Sequence, residues 1–305
     1  MNSLRLDILK TLAYFDYFDH PLTAIEIFSF MPCRCEPGIL KNELHSLVDE
    51  RLIFKVGRFY ALRNEPFMVS KRMQGHRSAI EDLIIAKKIG RFLSRLPFVE
   101  AVAVSGSLSK YYADENTDID FFIITSVNRF WIARTIMHFF KKISFIIGKQ
   151  DWFCMNYYID ESKMEIPEKN LFTAIEIATL MPLEGELSFR KFLISNSWVH
   201  DFLPCYTFSG KAHQLAKGFL RKVVEGILGL KVFDSIEALL MRITSKRWQK
   251  KAQKSGQRND LQVMGMAADK HFSKPDPAIF QQKFLQAYDK RIKQYTEAGV
   301  PTDKQ

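Results

Sequence analysis

The sequence predicts an α+β protein: a mixed β-sheet with helices, preceded by a small N-terminal module and followed by a helical C-terminal region. Short apolar runs, which are typical of buried strands, occur between amphipathic stretches in the middle of the chain. The first part of the chain has three stretches with helical spacing, followed by two short alternating runs. At 305 residues, the chain is long enough for about two folded units, with room for a small third.

The first module, residues 1–65, has the pattern of three helices followed by a β-hairpin. Apolar side chains recur at helical spacing in residues 3–17, and Thr23 and Glu26 have the spacing of a capping box for a second helix. Pro37 begins a third helix, and the sequence IFKVGRFYAL contains two alternating runs around Val-Gly. Three helices and a hairpin of this length resemble a winged helix-turn-helix.

The charge of the third predicted helix argues against assuming that this module binds DNA. Residues 37–51 contain two cationic side chains, Lys41 and Arg51, against three acids. A helix that enters the major groove usually brings cationic side chains to the phosphates. Two interpretations therefore stay open, namely sequence-specific DNA binding and a docking or dimerising module.

A linker, a sheet-forming region and a helical region are predicted after the first module. Residues 66–96 form a basic stretch with helical spacing. Residues 97–165 contain the strand patterns, and residues 166–305 are predicted to be mostly helical. Strands are expected at 99–105, at 119–125 and in WFCMNYYI, and helices at 108–113, 128–147, 168–193, 211–255 and 278–295.

Two aspartates interrupt the second apolar strand at its beginning. Asp118 and Asp120 alternate around Ile119, so both side chains are predicted to lie on one face of the strand. Two ionised carboxylates at such close range repel each other, and a divalent cation relieves that cost. Oxygen ligands favour Mg²⁺ or Mn²⁺. The sequence therefore predicts a metal site at these two carboxylates.

A Gly-Ser pair between the two strands predicts a phosphate site. Gly106 permits close approach of the backbone, and the hydroxyl of Ser107 and nearby N–H groups can bind an anion at the start of the predicted helix. Lys110 lies one turn further on, where it either reaches the same phosphate or is simply solvated. A phosphate site beside a two-carboxylate metal site is typical of phosphoryl or nucleotidyl transfer.

The succession of an apolar strand, Gly-Ser, a short helix and an alternating Asp-x-Asp strand resembles the polymerase beta-like nucleotidyltransferase superfamily. The resemblance covers about residues 97–160. It implies an Mg²⁺-dependent enzyme that transfers a nucleoside monophosphate from a nucleoside triphosphate to an acceptor. It also implies that Gly106 and Ser107 hold the triphosphate, and that Asp118 and Asp120 are catalytic residues that bind the metal.

The sequence departs from this family where active members usually have a third carboxylate on a later strand. The central polar residue of WFCMNYYI is Asn156, which cannot act as a base at neutral pH. Asp151, Asp160 and Glu176 are the nearby acids that could take its place, and geometry decides among them. The alternative to an enzyme is therefore a catalytically inactive protein that binds nucleotide or nucleic acid in a regulatory role.

Basic residues are concentrated in the last third of the chain. Residues 208–258 contain 12 Lys or Arg against three Asp or Glu, within a net charge of +10. The segment from Arg242 to Arg258 has no acid, and Lys246, Lys250 and Lys254 have the spacing of one helical face with Trp248 between them. This pattern indicates binding of nucleic acid or another polyanion; a solvated helix face and an anionic membrane surface are the alternatives.

Several residues receive other expectations. Arg129 and Arg134 begin the helix after the aspartates, and Arg134 is the better placed to point at the site. Trp198, His200 and His20 are expected to pack rather than catalyse. Four cysteines without a second Cys-x-Cys pair give no zinc signature. With no long apolar run and no signal-peptide pattern, the sequence predicts a cytoplasmic protein with no integral membrane association.

Overall fold

The computed structural model of the protein describes residues 3–115, 117–146, 148, 150–208, 210–215, 217–256, 265–268, 270–276 and 278–297. Within these ranges the protein has the mixed α+β class that the sequence predicts, with a three-stranded sheet and a six-stranded mixed sheet. None of the helices in these ranges is both long enough and apolar enough to cross a membrane.

The N-terminal unit consists of three helices and the small sheet. Its helices are α1 (Ser3–Asp16), α2 (Ala24–Phe30) and α3 (Pro37–Asp49), and its strands are β1 (Leu22–Thr23), β2 (Phe54–Val56) and β3 (Phe59–Ala61), in the order β1-β3-β2. The capping box of α2 is present, since the N–H of Thr23 donates to Glu26 over 2.7 Å and the N–H of Glu26 donates back over 3.3 Å. Gly57, with φ of +60°, turns β2 into β3.

The acids of α3 contribute to the packing of this unit. Arg5 of α1 donates to Glu50 over 2.8 Å and to Ser46 over 2.8 Å, and it also pairs with Glu43. Two of the three acids counted against DNA binding are therefore neutralised inside the unit. The exposed side of α3 includes Lys41 and His45.

The large sheet has the strand order β7-β4-β5-β6-β9-β8. Its strands are β4 (Val99–Val104), β5 (Asp120–Thr125), β6 (Cys154–Asp160), β7 (Met181–Glu184), β8 (Gly265–Ala268) and β9 (Phe272–Asp276). β5 and β6 are parallel, and the other neighbouring pairs are antiparallel. Three of these strands lie in the region 166–305, which was predicted to be mostly helical. Pro182 in β7 and Pro275 in β9 weaken the strand signal, because proline cannot donate to the ladder.

Helices cover both faces of this sheet. They are α4 (Pro66–Ser94), α5 (Phe130–Ile146), α6 (Leu171–Ala178), α7 (Glu186–Ser195), α8 (Val199–Phe202), α9 (Phe219–Leu228), α10 (Asp234–Gly256) and α11 (Ala278–Glu297). Alternation along β5 separates two cores. Phe121 and Ile123 pack with α4 and α5, whereas Phe122 and Ile124 pack with α6, α7 and the N-terminal unit.

The C-terminal helix α11 packs against the first helix of the chain. The Phe284 ring lies 4.9 Å from the Tyr14 ring and stacks on Tyr288 at 6.0 Å. Arg291 pairs over 2.5 Å with Asp16, a buried carboxylate that Arg63 also contacts at 2.9 Å. The helix predicted beyond Pro275 is thus present, and it closes the core on the side of the N-terminal unit.

Candidate functional site

The Gly-Ser turn lies directly against the first residue of β5. Gly106 has φ of +69°, a left-handed conformation that other residues rarely adopt. A Cβ atom at this position would lie 2.5 Å from Oδ2 of Asp120. The N–H of Ser105 donates to the carbonyl of Asp120 over 2.9 Å, which fixes the turn to the strand. The glycine is therefore required both for the backbone conformation and for contact with the carboxylate.

The helix predicted after this turn is only a single 3₁₀ turn, Leu108–Lys110. It is too short to supply the helix N-terminus that we expected to attract an anion. Ser109 donates to the carbonyl of Gly106 over 2.8 Å, and Nζ of Lys110 donates to the same carbonyl over 3.1 Å. Ser107 is exposed beside them. The groups available to a phosphate are therefore the Ser107 hydroxyl, the Lys110 ammonium and the backbone of the turn.

Asp120 has an unusual electrostatic environment. Its pKa is raised to about 6, mainly by burial and further by the negative charges of Asp118 and Glu176, against a hydrogen bond from Cys154. β5 begins at Asp120 and not at residue 119, so Asp118 lies in the preceding loop and is exposed. The structure thus places both aspartates close enough to interact, although only one of them belongs to the strand.

Glu176 is the acid that the fold brings to this site from a distant part of the sequence. It lies on α6, and its Oε1 atom forms an ion pair with Nζ of Lys110 at 2.8 Å. Asp160 lies at the far end of β6, where it bonds to His271 at 3.0 Å. The side chain of Asp151 is outside the described residues. Of the three acids considered as a third carboxylate, Glu176 is the one that the described geometry places here.

The residue beside Asp120 on the neighbouring parallel strand is a cysteine. The register of β5 and β6 pairs Asp120 with Cys154, and it shifts by one residue after Phe121, which leaves Asn156 out of the ladder. Burial and the charge of Asp120 raise the pKa of the Cys154 thiol to about 12. The sequence pattern indicated Asn156 as the polar residue beside Asp120 on the later strand, and it did not indicate Cys154. Asp120 begins β5 and Cys154 begins β6, so the matching starts of the two strands were the available signal. The bulge that shifts the register cannot be predicted from the sequence of one strand alone.

The donor set fits a magnesium ion better than a metal bound entirely by protein. Within the described ranges, no group of three or more His, Cys, Asp or Glu side chains is arranged to hold a metal ion. Mg²⁺ commonly takes one or two carboxylates and completes its shell with water and substrate phosphates. Asp118 and Asp120 can supply those two carboxylates, and a cation there would favour the ionised form of Asp120, whose pKa is raised by burial and by the charge of Asp118.

The linker helix α4 holds the far side of the turn in place. The N–H of Ala113 donates to the carbonyl of Gly75 over 3.1 Å, and a Cβ at Gly75 would lie 2.4 Å from the Tyr112 ring.

His20, from the N-terminal unit, lies near Lys110. Burial, with help from the charges of Arg72 and Lys110, lowers the pKa of His20 to about 3, so His20 is neutral at pH 7.

The two arginines of α5 have structural contacts. Arg129 donates to carbonyl groups at the end of α9 and to Asp234 over 2.7 Å. Arg134 is buried, with its guanidinium 4.6 Å from the Trp248 ring and 5.6 Å from the Tyr158 ring. Both rings belong to the core on the α4–α5 face of the sheet, opposite the face of Asp120. The expectation that Arg134 points at the site is therefore wrong.

Comparisons with protein-family models, with curated proteins and with solved structures gave no significant match. The resemblance to nucleotidyltransferases therefore stays a prediction from the motif pattern of residues 97–160.

Proposed function

We propose that the protein is an Mg²⁺-dependent nucleotidyltransferase that transfers a nucleoside monophosphate from a nucleoside triphosphate to a hydroxyl or phosphate acceptor. The observation that carries the proposal is the cluster of Asp118, Asp120 and Glu176 charges against the Gly106 turn. Like charges so close together are costly in a protein that never binds a cation. A divalent cation that binds together with the triphosphate would balance them.

In this proposal each side chain has a role that follows from its position. The Gly106 turn and the Ser107 hydroxyl bind the triphosphate, and Lys110 donates to a phosphate oxygen from its place at the Gly106 carbonyl. Asp118 and Asp120 hold Mg²⁺, which neutralises charge on the phosphates when it is bound. Glu176 orients Lys110 and is the carboxylate that accepts the proton of the acceptor hydroxyl.

Cys154 favours the second candidate, a catalytically inactive protein that binds nucleotide or nucleic acid. A thiol with a pKa of about 12 is neutral at pH 7, so it is neither a ligand for Mg²⁺ nor a base. If the residue beside Asp120 must be a carboxylate for transfer, the site binds a nucleotide without turning it over. The two candidates share the nucleotide site and differ in whether pyrophosphate is released.

Calorimetric titration with ATP, GTP, CTP and UTP, each with and without Mg²⁺, tests the shared site. We expect Mg²⁺-dependent binding of at least one nucleotide to the wild type and none to Asp118→Asn/Asp120→Asn. Asp114→Asn/Glu115→Gln is the matched control, because it removes two acids from the same loop. Absence of binding by all four nucleotides would exclude the enzyme and leave only the nucleic-acid-binding form of the second candidate.

Pyrophosphate release then separates the two candidates. The nucleotide that binds is incubated with sugar phosphates, RNA ends and a protein extract as acceptors, and release is compared between wild type and Glu176→Gln. The enzyme candidate predicts release with one acceptor and its loss in Glu176→Gln. Nucleotide binding without pyrophosphate release with any of these acceptors supports the inactive candidate.

A further inference from the structure

Helices α9 and α10 expose a large apolar surface. We define the α9–α10 surface as the exposed side chains between Phe219 and Lys250. Six of its large apolar side chains are more than half exposed: Phe219 83%, Leu220 76%, Ile227 54%, Leu230 57%, Val232 70% and Leu239 54%. Large apolar side chains that are exposed together on consecutive helices are uncommon on a monomer and indicate an interaction site.

This surface is not needed to hold the two helices on the protein. The buried Arg221 donates to the carbonyls of Ser94 over 2.6 Å and Val99 over 2.7 Å, which anchors α9. On α10, Leu240 and Trp248 pack against the core formed with α4 and α5. Each helix therefore has one side that is satisfied by the fold and another, apolar side that the described residues leave exposed.

The charges of the two helices are sorted between these sides. Glu225 accepts from the backbone N–H of Phe98 over 2.8 Å, and the buried Glu237 accepts from the backbone N–H of Ile132 over 3.0 Å. Asp234 is paired with Arg129. All three acids of residues 208–258 are thus engaged with the body of the protein.

The basic side chains of the helices lie on the outer side, beside the apolar ones. They are Lys222, Lys231, Arg242, Lys246, Arg247 and Lys250, all exposed. The apolar side chains concentrate towards α9 and the start of α10, and the basic ones continue along α10. A surface of large apolar groups bordered by lysine and arginine, with its three acids each engaged by a basic side chain or a backbone N–H, matches the interface of a bilayer that contains anionic lipid.

We propose that the α9–α10 surface docks the protein on the surface of an anionic membrane, with the apolar side chains inserted at the headgroup level. The attachment is peripheral, and it does not depend on the proposed nucleotidyltransferase activity.

Two other partners fit the surface less well. Nucleic-acid binding does not account for the exposed leucine and isoleucine side chains. Trp248, which the sequence places between the lysines, packs on Arg134 and is not available to a base. The side chain of Lys254 and residues 257–264 lie outside the described part of the chain. A second copy of the protein would bring the same basic side chains face to face, and like charges would repel.

Co-sedimentation of the full chain with vesicles tests the proposal. We expect pelleting with an equal mixture of phosphatidylcholine and phosphatidylglycerol, and little with phosphatidylcholine alone. Phe219→Ser/Leu220→Ser should weaken binding at least about tenfold, because each side chain contributes about a factor of ten or more when fully buried. Lys246→Gln/Arg247→Gln/Lys250→Gln should weaken it by a similar factor and reduce its salt dependence.

Leu187→Ser/Ile194→Ser on α7 is the matched control. These residues are 70% and 76% exposed, so the change removes comparable apolar surface elsewhere and should leave vesicle binding unchanged. Circular dichroism of every variant checks that the fold is retained. Three outcomes would overturn the proposal: no pelleting with anionic vesicles, equal pelleting of wild type and Phe219→Ser/Leu220→Ser, or a dimer in light scattering that this variant abolishes while vesicles bind neither protein.

Discussion

Two aspartates at opposite ends of the β5–β6 pair have contrasting surroundings. Asp160, at the end of β6, is fully buried and accepts hydrogen bonds from the N–H and hydroxyl of Ser162, at 2.9 and 2.5 Å, with His271 at 3.0 Å. Asp120, at the start of β5, is half-buried and lies close to two negative charges. The Asp160 carboxylate has the hydrogen-bond donors that a structural role requires. The Asp120 carboxylate is disfavoured in its ionised form by burial and by two like charges, and a bound cation would offset that cost.

Replacement of Asp160 should have the largest effect on stability. Asp160→Ala removes the buried carboxylate that accepts from the N–H and hydroxyl of Ser162 and contacts His271, so we expect the free energy of unfolding to fall by about 3 kcal/mol. Asp160→Asn keeps one acceptor and should cost about 1–2 kcal/mol. Urea unfolding followed by circular dichroism measures both values. A loss below about 1 kcal/mol for Asp160→Ala would remove the contrast between the two ends of the strand pair.

The glycine that contacts Asp120 gives the next largest effect. Gly106→Ala would place a Cβ against the Asp120 carboxylate in a left-handed backbone, and we expect it to cost about 2 kcal/mol and to abolish nucleotide binding. Gly57→Ala is the matched control, because Gly57 has a φ of +60° but no atom within 4 Å of the added Cβ. It should cost about 1 kcal/mol. Equal losses in the two variants would show that contact with Asp120 contributes nothing.

Elements with local signals were predictable from the sequence, and contacts set by packing were not. The capping box of Thr23 and Glu26, the hairpin at Gly57 and the strand that leads to Gly106 all depend on neighbouring residues. The position of Asp120 on its strand was predictable for the same reason, because the run of apolar residues after it defines that strand.

The positions of Glu176 and Cys154 depend on tertiary structure. Glu176 reaches the site only because α6 packs on the same face of the sheet as Asp120, and nothing near residue 176 indicates that face. Cys154 lies beside Asp120 because β6 contains a bulge, which also removes Asn156 from the ladder. The direction of Arg134 was missed because it depends on which side of α5 is covered by α10 and β9.

Substitution of Asp120 should affect stability in the opposite direction from substitution of Asp160. Asp120→Asn removes a charge that burial and two like charges disfavour, so we expect a gain of about 1–2 kcal/mol in the free energy of unfolding at pH 7 without metal. Mg²⁺-dependent nucleotide binding should be lost in the same variant. A clear loss of stability would mean that the ionised carboxylate is already satisfied within the fold and needs no cation.

The pH dependence of that gain identifies its origin. The pKa of Asp120 is raised in the folded protein from an ordinary value of 3.8 to about 6, so the folded state binds the proton more tightly than the unfolded state. The contribution of Asp120 to stability is therefore fully present below pH 3.8 and is lost as the pH rises through about 6. The difference in unfolding free energy between Asp120→Asn and wild type should grow across this window and stay constant above it. A difference that does not vary with pH would assign the gain to packing, and the case for a cation at Asp120 would then rest on nucleotide binding alone.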